Sequence, residues 1–70
     1  MSFYCKIIYY SPEFDPEPQI TYKAVTAKSL SEAAAMIEEY FGPELESISF
    51  RLVDEPVINI TEMDFLNCYG

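Results

Sequence analysis

The sequence predicts an α+β fold in which an antiparallel sheet of three to four strands carries one helix on one face, in the order β-β-α-β-β. Two N-terminal stretches are rich in β-branched and aromatic residues. A helix with clear start and stop signals follows them, and two more β-type segments come after it. At 70 residues, the chain has room for a single domain spanning 1–70.

The first two predicted strands are residues 3–10 and 19–26, joined as a hairpin by a long loop. Three prolines in the loop prevent a regular strand, and the acids Glu13, Asp15 and Glu17 alternate with them. This spacing superficially resembles calcium ligands, but the glycine and the final bidentate Glu of an EF-hand are missing. We therefore predict a solvated acidic loop and no metal site.

The helix has the strongest local signals. Ser29 and Glu32 form a capping box at its start, and Gly42 followed by Pro43 stops it, which predicts a helix over Leu30–Phe41. Its apolar stripe has the helical spacing Leu30, Ala34, Ile37 and Phe41, widened by Ala33, Met36 and Tyr40.

The segment after the helix alternates between apolar and polar residues over 46–54, which predicts a third strand. A turn then leads to a short fourth strand over 57–60. The tail, 61–70, leaves two structures open. Thr61 and Asp64 can cap a short helical turn, or the tail can be an irregular arm.

The alternation in the strands predicts which side chains face the helix. The expected core residues are Leu30, Ile37, Phe41, Ile48, Phe50 and Leu52, with Phe3, Cys5, Ile7 and Tyr9 from the first strand and Ile20, Tyr22 and Ala24 from the second. This register places three cations, Lys6, Lys23 and Arg51, on the opposite face.

The opposite sheet face is also apolar, and a large exposed apolar patch indicates an interface. One interpretation is a homodimer that associates through Tyr4, Ile8 and Tyr10. The other is that the C-terminal tail covers this face.

The charge excludes several functions. Twelve acids against four basic residues give a net charge of −8, which argues against direct nucleic-acid binding and against anionic membranes. Neither a membrane-spanning run nor a signal peptide is visible, so we expect a soluble, cytoplasmic protein. Cys5 and Cys68 are expected to be reduced thiols, with a single bridge between them as the alternative.

The chain also lacks the residue sets on which catalysis usually depends. It contains no His and no Gly-rich phosphate loop, and the adjacent Glu38 and Glu39 point about 100° apart on a helix. We therefore expect a binding protein without enzyme activity or cofactor. Dense negative charge beside the aromatic Tyr40 suits a basic partner, to which the protein would bind as a DNA mimic. The alternative is that the negative charge only keeps the protein soluble.

The order of these features resembles small acidic bacteriophage proteins, and more narrowly the dimeric uracil-DNA glycosylase inhibitor family of Bacillus phages. The similar stretches are Ser29-Leu30-Ser31-Glu32, Tyr40-Phe41-Gly42 and residues 49–54. The helix here is longer by about a turn, and a fourth strand and a tail are added.

The resemblance implies an inhibitor that mimics DNA and binds a DNA-handling host protein. Its helix residues at the target correspond to Glu38, Glu39 and Tyr40, and the loop acids are candidates for additional contacts. Two alternatives remain: an inhibitor of another host defence complex, such as a CRISPR nuclease, and a non-inhibitory adaptor that binds through the apolar sheet face.

Overall fold

A computed structural model describes residues 1–11, 13, 17–57 and 59–67. Its centre is an antiparallel sheet with the strand order β2-β1-β3. The elements in chain order are β1 (Ser2–Tyr9), β2 (Gln19–Thr26), α1 (Leu30–Phe41), a single 3₁₀ turn (Gly42–Glu44), β3 (Leu45–Val53) and α2 (Glu62–Leu66). The predicted α+β class, with one helix packed on a sheet face, is confirmed. None of the described helices is long and apolar enough to cross a membrane.

Helix α1 has the predicted bounds because both of its ends are fixed locally. The Ser29 hydroxyl accepts a hydrogen bond from the backbone N–H of Glu32 at 3.2 Å. At the other end, Gly42 has a φ of +61°, and its N–H donates to the carbonyl of Glu38. A side chain at Gly42 would be strained at this φ, so the glycine ends the helix at little cost.

The core lies between α1 and one face of the sheet. Its buried residues are Phe3, Cys5, Ile7, Ala27, Ala33 and Ile37, and the half-buried residues packed against them are Tyr9, Val25, Phe41, Leu45, Ile48 and Phe50. The core prediction is wrong for two residues, because Leu30 is 51% exposed and Leu52 is 44% exposed. Leu30 begins α1 and Leu52 lies near the end of an edge strand, so each has neighbours on fewer sides.

The predicted facing of β2 is also wrong. Lys23 pairs with Cys5 and Thr21 pairs with Ile7, and directly paired residues share a sheet face. The helix side of β2 therefore presents Thr21, Lys23 and Val25, while Ile20, Tyr22 and Ala24 lie on the opposite face. An edge strand tolerates this arrangement because Lys23 can extend its charge into water.

The predicted fourth strand is absent from the described residues 57, 59 and 60. The N–H of Val57 instead donates to the hydroxyl oxygen of Tyr4 at 3.0 Å. This amide is satisfied by a side chain of the sheet face and does not extend the sheet.

The C-terminal segment forms the helical alternative and packs on the sheet face opposite α1. A complete capping box starts α2: the Asp64 N–H donates to the Thr61 hydroxyl at 3.4 Å, and the Thr61 N–H donates to the Asp64 carboxylate at 2.8 Å. Phe65 is only 4% exposed. Its ring centroid lies 5.8 Å from that of Tyr22 and 5.3 Å from the guanidinium carbon of Arg51.

Candidate protein-binding surfaces

One end of the molecule collects the acids of the helix and the loop. The Phe41 ring at the end of α1 lies 4.9 Å from the Tyr9 ring at the end of β1. The Tyr10 N–H donates to the Glu44 carbonyl at 2.7 Å, so the turn after α1 also sits beside the start of the acidic loop. We call this region the acidic end; its described acids, all exposed, are Glu13, Glu17, Glu38, Glu39, Glu44 and Glu46.

Three of the four cations lie away from the acidic end, and the fourth, Lys23, lines the same groove between α1 and β2 as Tyr40. Lys28 precedes α1, and Arg51 pairs with Tyr4 near the other end of the sheet. Lys6 and Lys23 occupy the middle of their strands, on opposite faces. The predicted grouping of three cations on one face is therefore wrong, and the molecule is polarised along its strands.

The last turn of α1 adds to the negative potential of the acidic end. It contains Glu38 and Glu39 and no basic residue. The carbonyl end of a helix carries a partial charge of roughly −0.5, so both carboxylates lie where the helix dipole disfavours them. This arrangement lowers helix stability slightly and strengthens the attraction for a cation.

Tyr40 stands beside these two acids as an exposed aromatic side chain. It is 82% exposed, and its only described ring contact is an edge-on one with Phe41, at 5.1 Å between centroids. Truncating it removes little core packing, so Tyr40 is available as an anchor for a partner. The structure thus brings together the three predicted helix residues on one exposed turn.

The loop acids are placed only in part. Glu13 and Glu17 are exposed, whereas Asp15 lies outside the described residues. Glu17 and Glu46 border a surface depression of about 530 Å³ whose apolar lining includes Ile8 and Ile20. Sequence reasoning omitted Glu44 and Glu46 from the site, although both belong to the cation-free run of acids around the end of the helix.

A second surface is an apolar groove between α1 and β2, which we call the helix groove. Its volume is about 310 Å³, and its lining residues are Ile7, Lys23, Ala24, Val25, Met36, Ile37, Tyr40 and Phe41. Met36 is largely exposed along its wall. The spacing of the helix did not reveal this groove, because Met36 and Tyr40 look like ordinary members of the buried stripe.

The residues predicted for self-association have different environments. Tyr4 is 6% exposed beneath the C-terminal segment, Ile8 is half-buried and Tyr10 is exposed. The tail therefore covers the part of the sheet face around Tyr4, and a homodimer that associates through this face would have to use the part around Ile8. The homodimer itself stays a prediction.

The thiol of Cys5 is unsuited to nucleophilic chemistry. It is fully buried in the core, and burial raises its pKa from 9.0 to about 11. A thiol with this pKa stays protonated near neutral pH and is a poor nucleophile. Cys68 lies outside the described residues, and the described part of the chain contains no cluster of three or more potential metal ligands.

Comparisons with known proteins found no match among family models, curated proteins or solved structures.

Proposed function

We propose that this protein is a small acidic inhibitor that binds a basic, DNA-handling host protein through its acidic end, by mimicking the charge of DNA. The observation that supports the proposal most strongly is the convergence of α1, the turn after it and the acidic loop at one end, while three of the four cations lie elsewhere. Solubility alone requires negative charge but does not require the acids to lie together at one end of the molecule.

Rigid display of the acids favours binding. Helix α1 is capped at both ends, and the packing of Phe41 on Tyr9 holds its last turn against the sheet. Carboxylates held in place in the free protein lose little freedom on binding, so more of the interaction energy appears as affinity. The DNA-binding groove of a partner, built to hold closely spaced phosphates, supplies the complementary charge.

Uracil-DNA glycosylase is the first target to assay, because of the sequence resemblance. The test is the double variant Glu38→Lys/Glu39→Lys, with Asp54→Lys/Glu55→Lys as the matched control of equal charge change at exposed positions of the other end. Binding to the purified enzyme is measured at low and high salt, with and without competing DNA.

We expect the helix variant to associate more slowly and bind at least about tenfold more weakly at low salt, while the control keeps most of its affinity. Added DNA should displace the unmodified protein. If a folded helix variant binds as well as the control, charge mimicry is wrong. If neither the unmodified protein nor the control variant binds the enzyme, a CRISPR nuclease complex is the next target.

An adaptor that binds through the apolar sheet face is the second candidate, and one observation favours it. Ile20 is exposed beside Ile8 on the part of this face that α2 leaves uncovered. An adaptor of this kind would hold its partner at high salt and lose it in an Ile20→Glu variant. Sedimentation of the same variant also tests the homodimer, because a charge in a desolvated patch should dissociate it.

A further inference from the structure

The helix groove combines a closed apolar floor with two walls that solvent reaches. Its floor consists of Ile7 and Ile37, which are only 1% and 5% exposed. The α1 wall carries the exposed side chains of Met36 and Tyr40, and residues 23–25 of β2 form the other wall. A molecule that enters from solvent therefore finds apolar contacts on three sides.

The dimensions of the groove limit what can occupy it. Its β2 wall spans three residues, and its α1 wall extends from Met36 to Tyr40. At about 3.3 Å per strand residue and 1.5 Å per helix residue, each wall is roughly 6–7 Å long. The volume of about 310 Å³ holds about ten non-hydrogen atoms, at about 30 Å³ for each, the share of a water molecule in the liquid. A small molecule fits this space, whereas a strand or helix of a partner protein is longer.

The charge in the groove is positive. Among the described residues that line it, Lys23 is the one charged side chain, and the pairing of Lys23 with Cys5 places it on the helix side of β2. Neither β1 nor β2 contains an acid. Glu32 and Glu39 lie four and three residues from Met36 on α1, but they are exposed and do not line the groove. The favourable position for a negative charge is therefore beside Lys23.

We propose that the helix groove binds a small monocarboxylate with an apolar body of about eight carbons, which with two carboxylate oxygens make up the ten atoms for which there is room. The apolar body packs on the floor and against Met36 and Tyr40, and the carboxylate pairs with the Lys23 ammonium. Small-molecule sites typically join a mainly apolar lining to a few polar groups that fix the orientation of the ligand. This inference is independent of the proposed function, because the groove binds such a ligand without a partner protein.

The first test compares three ligands of equal chain length: octanoate, 1-octanol and octylammonium. Titrations are followed by NMR spectra of the backbone amides. Attraction to the net charge of −8 would favour octylammonium. We expect the opposite order, with octanoate binding at least about fivefold more tightly than octylammonium, octanol between them, and the largest shifts at Val25, Met36 and Ile37. Equal or tighter binding of octylammonium would overturn the proposal.

Two protein variants test the contact with the carboxylate. Lys23→Gln removes the cation of the groove, and Lys28→Gln is the matched control, because Lys28 is equally an exposed cation and does not line the groove. We expect Lys23→Gln to weaken octanoate binding at least about threefold and to leave octanol binding unchanged, whereas Lys28→Gln should change neither. Equal octanoate affinities of the two folded variants would reject the contact with Lys23. If either variant is unfolded, the order of the three ligands decides.

A second pair of variants tests the apolar contact. Met36→Ala should weaken octanoate binding at least about threefold, whereas Leu30→Ala should leave it unchanged, because Leu30 is a similarly exposed residue of α1 outside the groove. Octanoate shifts centred on Ile8 and Ile20 would place the ligand in the depression of the other sheet face and overturn the proposal. Shifts of the groove amides on concentrating the protein alone would assign the groove to a second copy instead.

Discussion

Replacing Phe65 by Ala should detach the C-terminal segment and leave the rest of the protein folded. Phe65 is the buried residue of α2, and its ring packs on Tyr22 and beneath the Arg51 guanidinium. Burying a Phe side chain contributes about 1.5–3 kcal/mol, and the aromatic and cation–π contacts add about 0.5–1.5 and 0.5–1 kcal/mol. The truncation therefore removes about 2.5–5.5 kcal/mol of favourable interaction.

That amount is comparable with the whole free energy that holds the segment in place. Ordering the backbone costs about 1–2 kcal/mol per residue, so a five-residue helix anchored by one buried side chain is marginally stable. Once the segment detaches, no further stability can be lost through it. We expect the global free energy of unfolding to fall by less than the interactions removed, because local opening precedes global unfolding.

Amide hydrogen exchange measures this outcome directly. In α2 and its caps, the N–H groups of Phe65 and Asn67 donate to the carbonyls of Thr61 and Met63. The Val57 N–H donates to the Tyr4 hydroxyl. These three amides should lose protection in Phe65→Ala, while the β1–β2 amides keep theirs.

Leu66→Ala is the matched control, because Leu66 belongs to the same helix and is largely exposed. It should leave all three amides protected. Unchanged protection in Phe65→Ala, or an equal loss across the sheet, would refute the view that the segment is a separately docked unit.

Three further predictions concern the core. Ile37→Ala should lower the free energy of unfolding, measured with urea, by about 2–5 kcal/mol, which is a large part of the total stability of a domain this small. A change below about 1 kcal/mol would contradict the burial of Ile37. Phe50→Ala should lower the free energy of unfolding by about 3 kcal/mol, near the lower limit for a Phe truncation, because Phe50 is only half-buried and packs edge-on against Phe3. A loss above about 5 kcal/mol would contradict this partial exposure. Stability should fall between about pH 9 and pH 11, because the Cys5 thiol ionises only in the unfolded chain there; Cys5→Ala should show a smaller fall, and equal falls would exclude this cause.

The acidic end could be predicted only in part. Glu38, Glu39 and Tyr40 follow one another on a helix, so their common location needs no tertiary information. Their proximity to Glu17 and Glu46 depends on where β1, β2 and β3 begin and end, which is a property of strand pairing. The helix groove depends likewise on which side of the sheet α1 leaves open.

The sequence by itself determined the features that depend on neighbours within a few residues. The bounds of α1 follow from Ser29, Glu32 and Gly42, and the α2 turn follows from Thr61 and Asp64. Hydrogen bonds over three or four residues decide such features, and their donors and acceptors are visible in the chain.

Only the tertiary structure decided which face of each strand became the core. The alternation in β2 favours Ile20, Tyr22 and Ala24 on the helix side, but the pairing of β2 with β1 placed Lys23 there instead. In the same way, Val57 could have continued a strand, but the Tyr4 hydroxyl bonds its N–H. In both cases the deciding partner is distant in sequence, and a local pattern carries no information about where that partner will lie.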